Sequence, residues 1–531
     1  MRVLIFHGYL LRGTGSNVYN ANLAAALVEL GHEVHLLSQE RHSEELDFVG
    51  AVGDWDAGTL RIRRVRNVAC TVYRPPIGGV LPVYVLDRYE GVEARLFPDC
   101  SGDELQTYLD VNVAATSEVV GRSAPELALA NHLIMGPAIL ARALASREVP
   151  YAVTIHGSAL EYTVKPHPRF LPYAREGLAP ARGILVGSRH TAQSLWEALA
   201  DPSLPARTRL GPPGVDVHRF RQLAPERAQA GLAAAAQRLR VRVLAGLPVD
   251  RNGERDTPSD FQRDEAATAR ALEALADKPP DTPLVAFVGK LILAKGVDLA
   301  LLAWPLVLAE IPPATLAVAG FGAWREGAQR LLRALCRGEL ETARRLLHGG
   351  PAGEGDAAFA SAFLRWLERS DERAAYLEAA EALRGRVLFT GRLEHEELAS
   401  LLPLCDAIVV PSTFPESFGM VAAEAAACGT LPISAAHSGL AEVSRVLAPS
   451  LPAPMRDLVS FELREDAVRQ IAARVIRWLR TPAQARIAAG AALSRTVANG
   501  YSWERVARDM LRAARGELGA LESPSALPRE A

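Results

Sequence analysis

Two glutamates eight positions apart, Glu416 and Glu424, are the residues whose spacing says most about the chemistry of this chain. Carboxylates accept hydrogen bonds from hydroxyl groups. Between them, Gly419 and Met420 are predicted to open a helix, and the free N–H groups of a helix start bind anions such as phosphate. One carboxylate before such a helix end and one after it can hold hydroxyls on both sides of a diphosphate, as a sugar nucleotide requires. A simpler alternative is that Glu416 only interacts favourably with the helix dipole.

The surrounding residues predict how the two glutamates are positioned. A continuous helix would turn by about 80° and rise about 12 Å between them, so it could not direct both carboxylates at one point. Pro415 keeps the approach non-helical, Ser417 can cap the helix, and Gly429 can end it. Strands predicted at 407–411 and 430–434 make this a βαβ unit with the glutamates at the carboxyl end of the first strand, where open α/β sheets bind ligands.

Two lysines lie in a second loop that could act on the same anion. Lys290 and Lys295 follow a predicted strand at 284–289 and precede a predicted helix at 297–310. Cations beside a helix N-terminus can neutralise the charge that develops on a leaving diphosphate. The alternative is two solvated loop lysines, which is less favoured because glycines flank the loop on both sides.

Alternating strands and helices predict an α/β protein with two parallel, doubly wound sheets. The predicted strands lie at 3–8, 32–38, 151–156, 183–188, 284–289, 315–320, 387–390, 407–411 and 430–434. We predict two Rossmann-like domains, at 1–210 and 211–500. Helical insertions at 222–281 and 324–384 are interpreted as decoration or an oligomer contact, 75–110 as an insertion in the first domain, and 519–531 as a disordered tail.

Composition restricts the class of protein. A chain of 531 residues is expected to form more than one core, and 49% hydrophobic with 23% charged residues is ordinary globular composition. The net charge of −2 predicts no nucleic-acid partner. Five cysteines without ligand spacing predict neither a disulfide framework nor a zinc site. No apolar stretch is long enough to span a bilayer, so we expect a cytoplasmic protein, and peripheral membrane contact stays open.

Taken together, these residues resemble the retaining GT-B glycosyltransferases of family 4. The resemblance covers most of 1–40, 130–220, 284–322 and 386–445. Its motifs are Gly13-Thr14-Gly15, Leu30-Gly31-His32-Glu33-Val34, Thr154-Ile155-His156-Gly157, Gly214-Val215-Asp216, the 289–296 loop, Gly391 and the glutamate pair. Family members usually have two adjacent glycines in the first motif and an arginine at the position of Lys290.

The resemblance implies a two-domain fold with a cleft, in which the C-terminal domain holds most of the nucleotide. It also implies a helix at about 502–518 that returns to the first domain, anchored by Trp503. It implies that His156 contacts the transferred sugar, that Glu424 holds the ribose and that Glu416 holds the sugar. The predicted catalytic residues are Glu416, His156, Lys295 and Lys290; the predicted donor-binding residues are Gly13, Gly15, Gly391, Gly419, Met420 and Glu424.

The predicted function is transfer of a hexose from a nucleotide-diphosphate sugar to a hydroxyl acceptor, with no metal or other cofactor. The acceptor could be a saccharide, a lipid-linked molecule or a small molecule. A sugar-nucleotide epimerase, a pyridoxal-dependent phosphorylase and a non-catalytic sugar-nucleotide-binding protein are the alternatives. Asp54 and Asp56 match a metal-binding Asp-x-Asp pattern, but they are predicted in an irregular stretch and interpreted as a chance match.

Overall fold

The computed structural model describes residues 1–12, 15–84, 93–245, 263–279, 281–348 and 357–525. The chain divides into two compact units. Unit 1 contains Met1–Gly214 and Tyr501–Ala531, and unit 2 contains Val215–Gly500. The boundary predicted at 210/211 lies a few residues from this division.

Unit 1 is built on a sheet whose described strands are nine in number and, except for the hairpin at one edge, run parallel. The described strands of unit 1, two of which lie outside this sheet, are β1 (Arg2–Phe6), β2 (Glu33–Leu37), β3 (Ala51–Asp56), β4 (Thr59–Arg64), β5 (Cys70–Arg74), β6 (Val80–Val83), β7 (Glu93–Leu96), β8 (Leu127–Asn131), β9 (Tyr151–Ile155), β10 (Gly183–Val186) and β11 (Thr208–Leu210). The order across the sheet is β11-β10-β9-β8-β1-β2-β5-β3-β4, while β6 and β7 pair separately. The order reverses direction between β1 and β8.

Unit 2 contains a parallel sheet of six described strands. They are β12 (Leu284–Val288), β13 (Thr315–Ala319), β14 (Val387–Gly391), β15 (Ala407–Val410), β16 (Leu431–Ala435) and β17 (Ser460–Phe461), in the order β14-β13-β12-β15-β16-β17. Central strands such as β12 consist of unbroken runs of apolar residues, because helices cover both faces of a parallel sheet. The order switches between β12 and β15, and ligands of open α/β sheets bind beside such a switch point.

Helices cover both sheets. Those of unit 1 include α1 (Gly15–Glu29), α2 (Gly102–Ser123), α3 (Gly136–Ala143), α4 (Leu171–Leu178), α5 (Arg189–Leu199) and α6 (Leu204–Arg207). Those of unit 2 include α7 (Pro225–Leu244), α8 (Glu265–Ala276), α9 (Val297–Glu310), α10 (Arg325–Cys336), α11 (Leu340–His348), α12 (Ala358–Leu367), α13 (Arg373–Glu381), α14 (Leu383–Arg386), α15 (His395–Leu401), α16 (Met420–Ala427), α17 (Ser438–Leu447), α18 (Ala467–Arg480) and α19 (Ala483–Gly500). The last long helix is α20 (Trp503–Arg515).

The predicted insertions contribute to the core, which corrects their interpretation as decoration. Helix α8 packs against β14, and α13 packs against α9. Tyr376 of α13 is 1% exposed and its hydroxyl donates to the carbonyl of Leu302 at 3.0 Å. Residues 246–262, 280 and 349–356 lie outside the described residues. In unit 1, the stretch interpreted as an insertion at 75–110 supplies β6, β7 and the first turns of α2.

The C-terminal segment returns to unit 1. Helix α20 begins after Ser502, whose hydroxyl accepts from the Arg505 N–H, and ends at Gly516 with φ +81°. Beyond it, the Leu210 N–H donates to the carbonyl of Glu522 at 2.8 Å, and Leu521 is buried. The prediction of a disordered tail is therefore wrong for residues 519–525, while 526–531 lie outside the described residues.

Candidate active site

The loop after β12 is held against the end of β15 by a glycine. Gly296, the N-cap of α9, has φ +73°, and a Cβ built on it would lie 2.0 Å from the carbonyl oxygen of Pro411. Only glycine permits this backbone approach. The Thr413 N–H also donates to the Ala294 carbonyl at 2.9 Å. The two loops at the switch point of the unit 2 sheet are thereby joined.

This junction brings two predicted catalytic residues into contact. The Lys295 ammonium donates to the Glu416 carboxylate, although the two residues are 121 positions apart. The Ser412 hydroxyl lies 2.8 Å from the same carboxylate oxygen. The side chains of Lys295 and Glu416 remain 33% and 22% exposed, so solvent and a ligand can reach them. Lys290, which lies two residues after the end of β12, follows the same strand.

The backbone of Glu416 is fixed as well as its side chain. Its N–H donates to the Ser438 hydroxyl at 2.8 Å, and its carbonyl accepts from the Gly439 N–H at 2.8 Å. Both partners belong to the first turn of α17. The loop between β15 and α16 is therefore hydrogen-bonded to the start of α17.

Helix α16 begins at Met420 with Gly419 as its N-cap and without a side-chain capping bond. The prediction that Ser417 caps this helix is wrong, because the helix begins later than the serine requires. The N–H groups of its first turn lack acceptors within the helix and can bind an anion. Gly429, with φ +80°, follows the other end, as predicted.

Glu424 lies within α16 and is only 7% exposed. The pKa of this carboxyl is raised to about 8, mainly by burial; the charge of Arg219 opposes the rise, and the charge of Asp216 adds to it. Arg219 and Asp216 themselves form an ion pair at 3.7 Å. A buried carboxyl that is protonated at neutral pH in the free protein is suited to a ligand whose hydroxyls would stabilise its charged form.

Gly391, a predicted donor-binding residue, ends β14 on the other side of the sheet. Its φ is +73°, and a Cβ would lie 3.1 Å from the Thr268 hydroxyl. Its carbonyl accepts from the Gly320 N–H at 2.9 Å. Gly391 therefore ends its strand at the same carboxyl edge as the lysines and Glu416.

His156, which belongs to unit 1 and is partly buried, takes part in a chain of polar side chains that are otherwise buried. Its Nε2 lies 2.8 Å from Asn131 Oδ1, the Asn131 amide donates to Asn20 Oδ1 at 2.6 Å, and the Asn20 amide lies 3.0 Å from His7 Nδ1. His7 Nε2 in turn lies 2.9 Å from the carbonyl of Leu10. The amide-to-imidazole contact makes His7 Nδ1 an acceptor and its Nε2 a donor.

Three histidines follow neighbouring strands of the unit 1 sheet: His7 after β1, His132 after β8 and His156 after β9. The His132 ring lies 6.0 Å from that of His7 and 5.0 Å from that of His156. Burial lowers the pKa of His7 to about 4 and of His156 to about 3, and it lowers the pKa of His132 well below its usual value. All three imidazoles are therefore neutral at physiological pH, and both ring nitrogens of His7 are already hydrogen-bonded within the protein.

Two other predicted features lie elsewhere in unit 1. Gly15 begins α1, and a Cβ there would have no described atom within 4 Å, while Gly13 lies outside the described residues. Asp54 and Asp56 lie on β3, which corrects their placement in an irregular stretch, and each pairs with an arginine. Over the described ranges, no group of three His, Cys, Asp or Glu side chains could hold a metal ion. Metal independence stays a prediction.

Sequence reasoning missed several residues of this network. His7, Asn131 and His132 each end or follow a buried strand, and Ser412 follows β15. A polar residue directly after an apolar strand is the signal that could have found them, since strand ends of α/β sheets line ligand sites. No helix among the described residues is long and apolar enough to cross a membrane.

Two family models match this chain. The model for a glycosyl transferase 4-like domain matches residues 14–214, and the model for glycosyl transferases group 1 matches residues 366–447. Together the two matches span just over half of the chain. The first lies in unit 1, and the second contains Glu416 and Glu424.

Curated relatives include two D-inositol 3-phosphate glycosyltransferases. The one from Xylanimonas cellulosilytica is 30% identical over 252 residues, 46% of this chain and 45% of the relative. The one from Mycobacterium ulcerans is 30% identical over 261 residues, 48% of this chain and 42% of the relative. The matched region thus spans less than half of the length of these relatives.

Solved structures with the same fold cover almost the whole chain. Sucrose-phosphate synthase from Thermosynechococcus elongatus has a TM-score of 0.54 at 18% identity, covering 98% of this chain and 99% of its own. The catalytic domain of starch synthase IV from Arabidopsis thaliana, bound to ADP and acarbose, has a TM-score of 0.55 at 13% identity, covering 98% and 99%. HepE from Anabaena, in complex with UDP and glucose, has a TM-score of 0.54 at 13% identity, covering 97% and 99%. With two Rossmann-like units and both family models matched, this chain belongs to the glycosyl transferases group 1 and has the GT-B fold.

Proposed function

We propose that this chain is a retaining glycosyltransferase that moves a hexose from a nucleotide-diphosphate donor to a hydroxyl acceptor without a metal ion. The observation that carries the proposal is the contact of Lys295 with Glu416 beside the start of α16. A cation, a hydroxyl-binding carboxylate and a set of free helix amides meet at the switch point of the unit 2 sheet. These are the groups that a sugar joined to a diphosphate requires.

The diphosphate is assigned to Lys295, Lys290 and the first amides of α16. Cleavage of the sugar–phosphate bond leaves negative charge on the departing phosphate, and fixed positive groups stabilise that charge. A lysine at position 290 keeps the charge of the family's usual arginine but offers no bidentate fork. It would therefore contact a single phosphate oxygen. Because these groups supply the neutralising charge, we propose that no metal ion is needed.

The two glutamates are assigned to opposite sides of the diphosphate. Glu416, on the loop before α16, would accept hydrogen bonds from hydroxyls of the transferred sugar. Glu424, inside α16, would accept them from the ribose. Neither is the covalent nucleophile that a retaining hydrolase uses. In the proposed reaction the acceptor oxygen bonds to the anomeric carbon on the face from which phosphate leaves, and the acceptor proton passes to that phosphate.

Unit 1 is assigned to the acceptor and to the transferring end of the sugar. His156 is neutral because desolvation lowers its pKa, so it would bind hydroxyl groups by hydrogen bonds rather than as a cation. We propose a cytoplasmic location, which suits five cysteines that are all free thiols in this structure.

The comparisons suggest the first ligands to test. HepE is in complex with UDP and starch synthase IV is bound to ADP, so UDP- and ADP-hexoses are the first donors. The relatives named D-inositol 3-phosphate glycosyltransferase make D-inositol 3-phosphate the first acceptor, with unphosphorylated inositol as the alternative.

The experiment is a thermal-shift screen against sugar nucleotides, followed by a transfer assay with the donor that gives the largest shift. We expect product to form at an undiminished rate in excess chelator and an α-linked donor to give an α-linked product by NMR coupling constant. A β-linked product would contradict retention. Loss of activity in chelator with recovery in manganese would contradict metal independence. Release of nucleotide without a new glycoside would indicate an epimerase, and binding without turnover would indicate a binding protein.

A further inference from the structure

Ser438, the first residue of α17, has an unusual backbone conformation. Its φ is +49°, in the left-handed region where glycine is the ordinary residue. A non-glycine residue at such a position costs about 1 kcal/mol or more. Among described residues, the other non-glycine positions with positive φ are Ala57, Ala124, His132 and Ala200. Ser438 differs from the three alanines because its side chain carries a hydroxyl, and that hydroxyl is hydrogen-bonded.

The Ser438 hydroxyl links the backbone of Glu416 to a histidine. It accepts from the Glu416 N–H at 2.8 Å and lies 3.0 Å from His437 Nδ1. The other ring nitrogen, His437 Nε2, lies 2.7 Å from the carbonyl oxygen of Ser412. The chain of contacts therefore runs from the amide of Glu416 to the carbonyl of Ser412.

The direction of each hydrogen bond in this chain follows from the types of atom. A carbonyl oxygen can only accept, so His437 Nε2 carries a proton and donates it to Ser412. With one ring proton, Nδ1 is an acceptor, and the Ser438 hydroxyl donates to it. The oxygen of that hydroxyl is then left to accept from the Glu416 N–H. Every group in the chain has one consistent role.

The chain closes through the side chain of Glu416. Ser412, which His437 holds by its carbonyl, also places its hydroxyl 2.8 Å from the Glu416 carboxylate, and Ser412 is 1% exposed. Glu416 is thus held at its amide through Ser438 and at its carboxylate through Ser412 and Lys295. A second backbone bond, from the Gly439 N–H to the Glu416 carbonyl, adds to this at 2.8 Å.

We propose that Ser438 and His437 are positioning residues that hold the Glu416 carboxylate in the orientation required by the transferred sugar. The inference rests on the proposed function, because it assigns the sugar to Glu416. Neither residue is assigned a contact with the ligand. Glycine would adopt the left-handed backbone at position 438 more easily, but it would remove the link between Glu416 and His437.

The test compares Ser438→Gly with Ser438→Ala. Both remove the hydroxyl, but only glycine relieves the backbone strain. We expect both to lower kcat/KM for the sugar nucleotide by about tenfold, the effect of one hydrogen bond, and to leave the Kd of the bare nucleotide diphosphate unchanged. A wild-type kcat/KM in Ser438→Gly would overturn the proposal, because the hydroxyl would then have no role. The matched control is Ala124→Gly, which relieves a left-handed residue after α2 and should leave kcat/KM unchanged.

A second measurement is independent of activity. Nitrogen NMR of the imidazoles, with the His437 signals assigned by their loss in His437→Gln, should show a protonated Nε2 and an unprotonated, hydrogen-bonded Nδ1. In Ser438→Gly the Nδ1 signal should shift, while the Nε2 signal stays. A proton on Nδ1, or a signal that does not respond to Ser438→Gly, would overturn the inference. Normal NMR results with no transfer by the wild-type protein would instead contradict the proposed function.

Discussion

At the scale of single residues, Glu424 has an electrostatic property that makes donor binding measurable without turnover. Burial raises its pKa to about 8 from an ordinary value of 4.5. At pH 7 most free protein therefore carries a proton on this carboxyl. Hydroxyl groups that donate to a carboxylate favour its charged form, so a ribose bound there would lower the pKa and expel the proton.

The first prediction is that binding of the bare nucleotide diphosphate releases up to one proton per site at pH 7. The affinity should rise with pH up to about 8 and then level off, because deprotonation no longer costs free energy above that pKa. Calorimetric titration in buffers of different ionisation enthalpy measures the released protons. Glu424→Gln is the control and should abolish the release. An unchanged release in that variant would assign the proton to another group.

The same raised pKa makes the stability of the protein depend on pH. In the native protein Glu424 stays protonated between about pH 4.5 and pH 8, whereas in the unfolded chain it loses its proton near pH 4.5. The free energy of unfolding contributed by this group therefore falls as pH rises through that window. Glu424→Gln removes the buried charge, so its stability relative to wild type should increase over the same range. Urea unfolding at pH 5 and pH 8 gives the comparison.

The second prediction concerns the division of labour between the two glutamates. A carboxylate that accepts hydroxyl bonds contributes about 1.5–3 kcal/mol, or about ten- to a hundredfold in affinity. Glu424→Ala should weaken the binding of the bare nucleotide by about this factor. Glu416→Ala should leave bare nucleotide nearly unchanged, yet weaken intact sugar nucleotide and depress turnover. Calorimetric titration of both ligands into both variants measures these affinities. Equal loss of bare nucleotide in the two variants would mean that the carboxylates do not lie on opposite sides of the diphosphate.

At the scale of secondary-structure elements, the junction between the β12 and β15 loops depends on Gly296. Alanine there would meet the carbonyl oxygen of Pro411 at 2.0 Å and would have to adopt φ +73°. The backbone conformation alone costs about 1 kcal/mol, and relief of the contact would separate the two loops.

The third prediction is that Gly296→Ala lowers the free energy of unfolding and weakens sugar-nucleotide binding, because Lys295 moves away from Glu416. Gly385→Ala, in α14 of the same unit, is the control. A Cβ at Gly385 has no described atom within 4 Å, so this change should be neutral or slightly stabilising. Urea unfolding and calorimetry measure the two effects. Normal donor binding in a folded Gly296→Ala protein would mean that the junction does not position the lysine.

The elements that sequence predicted well are those whose pattern is local. Helix α9 runs from Val297 to Glu310 as predicted, because glycine precedes it and apolar residues fill it. The unit 2 strands β12 and β15, which lead to the site, were predicted to within one residue for the same reason. Wrong predictions depended on tertiary contacts. The tail at 519–525 is ordered by bonds to β11, and the helices at 222–281 and 324–384 bury side chains against a sheet that their own sequence does not reveal.

The candidate site shows the same division. Lys295 and Glu416 were predicted from loop chemistry, whereas their partner Ser412 was not assigned a role, and residues 437–440 were predicted only to add backbone contacts near the two glutamates. The contacts of these residues cross from one loop to another, and the positive φ of Ser438 cannot be read from the local sequence. Periodicity predicts which strand a loop follows, but the hydrogen bonds between loops require the fold.

At the scale of the whole molecule, unit 1 is formed from two separate segments of the chain, and unit 2 lies between them in sequence. Helix α20 follows unit 2 in sequence but packs in the core of unit 1, where Thr154 of β9 lies 3.1 Å from Met510. A Cβ at Gly183 would lie 2.7 Å from the carbonyl of Ala513, so the helix and the sheet are in close contact. The larger apolar side chains of α20, Trp503, Val506, Met510 and Leu511, are all buried. Their burial contributes about 6–12 kcal/mol in total, comparable with the about 5–15 kcal/mol that stabilises a whole domain.

The final prediction separates the two units by their function. Met510→Asp places a charge in the core of unit 1, which costs several kcal/mol, about as much as the unit can lose before it unfolds. We expect sugar transfer to disappear, because His156 and the proposed acceptor site depend on that core. Bare nucleotide should still bind with wild-type Kd, because Lys290, Lys295, the first amides of α16 and Glu424 all lie between Val215 and Gly500. Arg508→Asp, an exposed position of the same helix, is the matched control and should leave transfer and binding intact. Loss of nucleotide binding in Met510→Asp, with the unit 2 transition still visible in thermal unfolding, would mean that unit 1 supplies part of the nucleotide site.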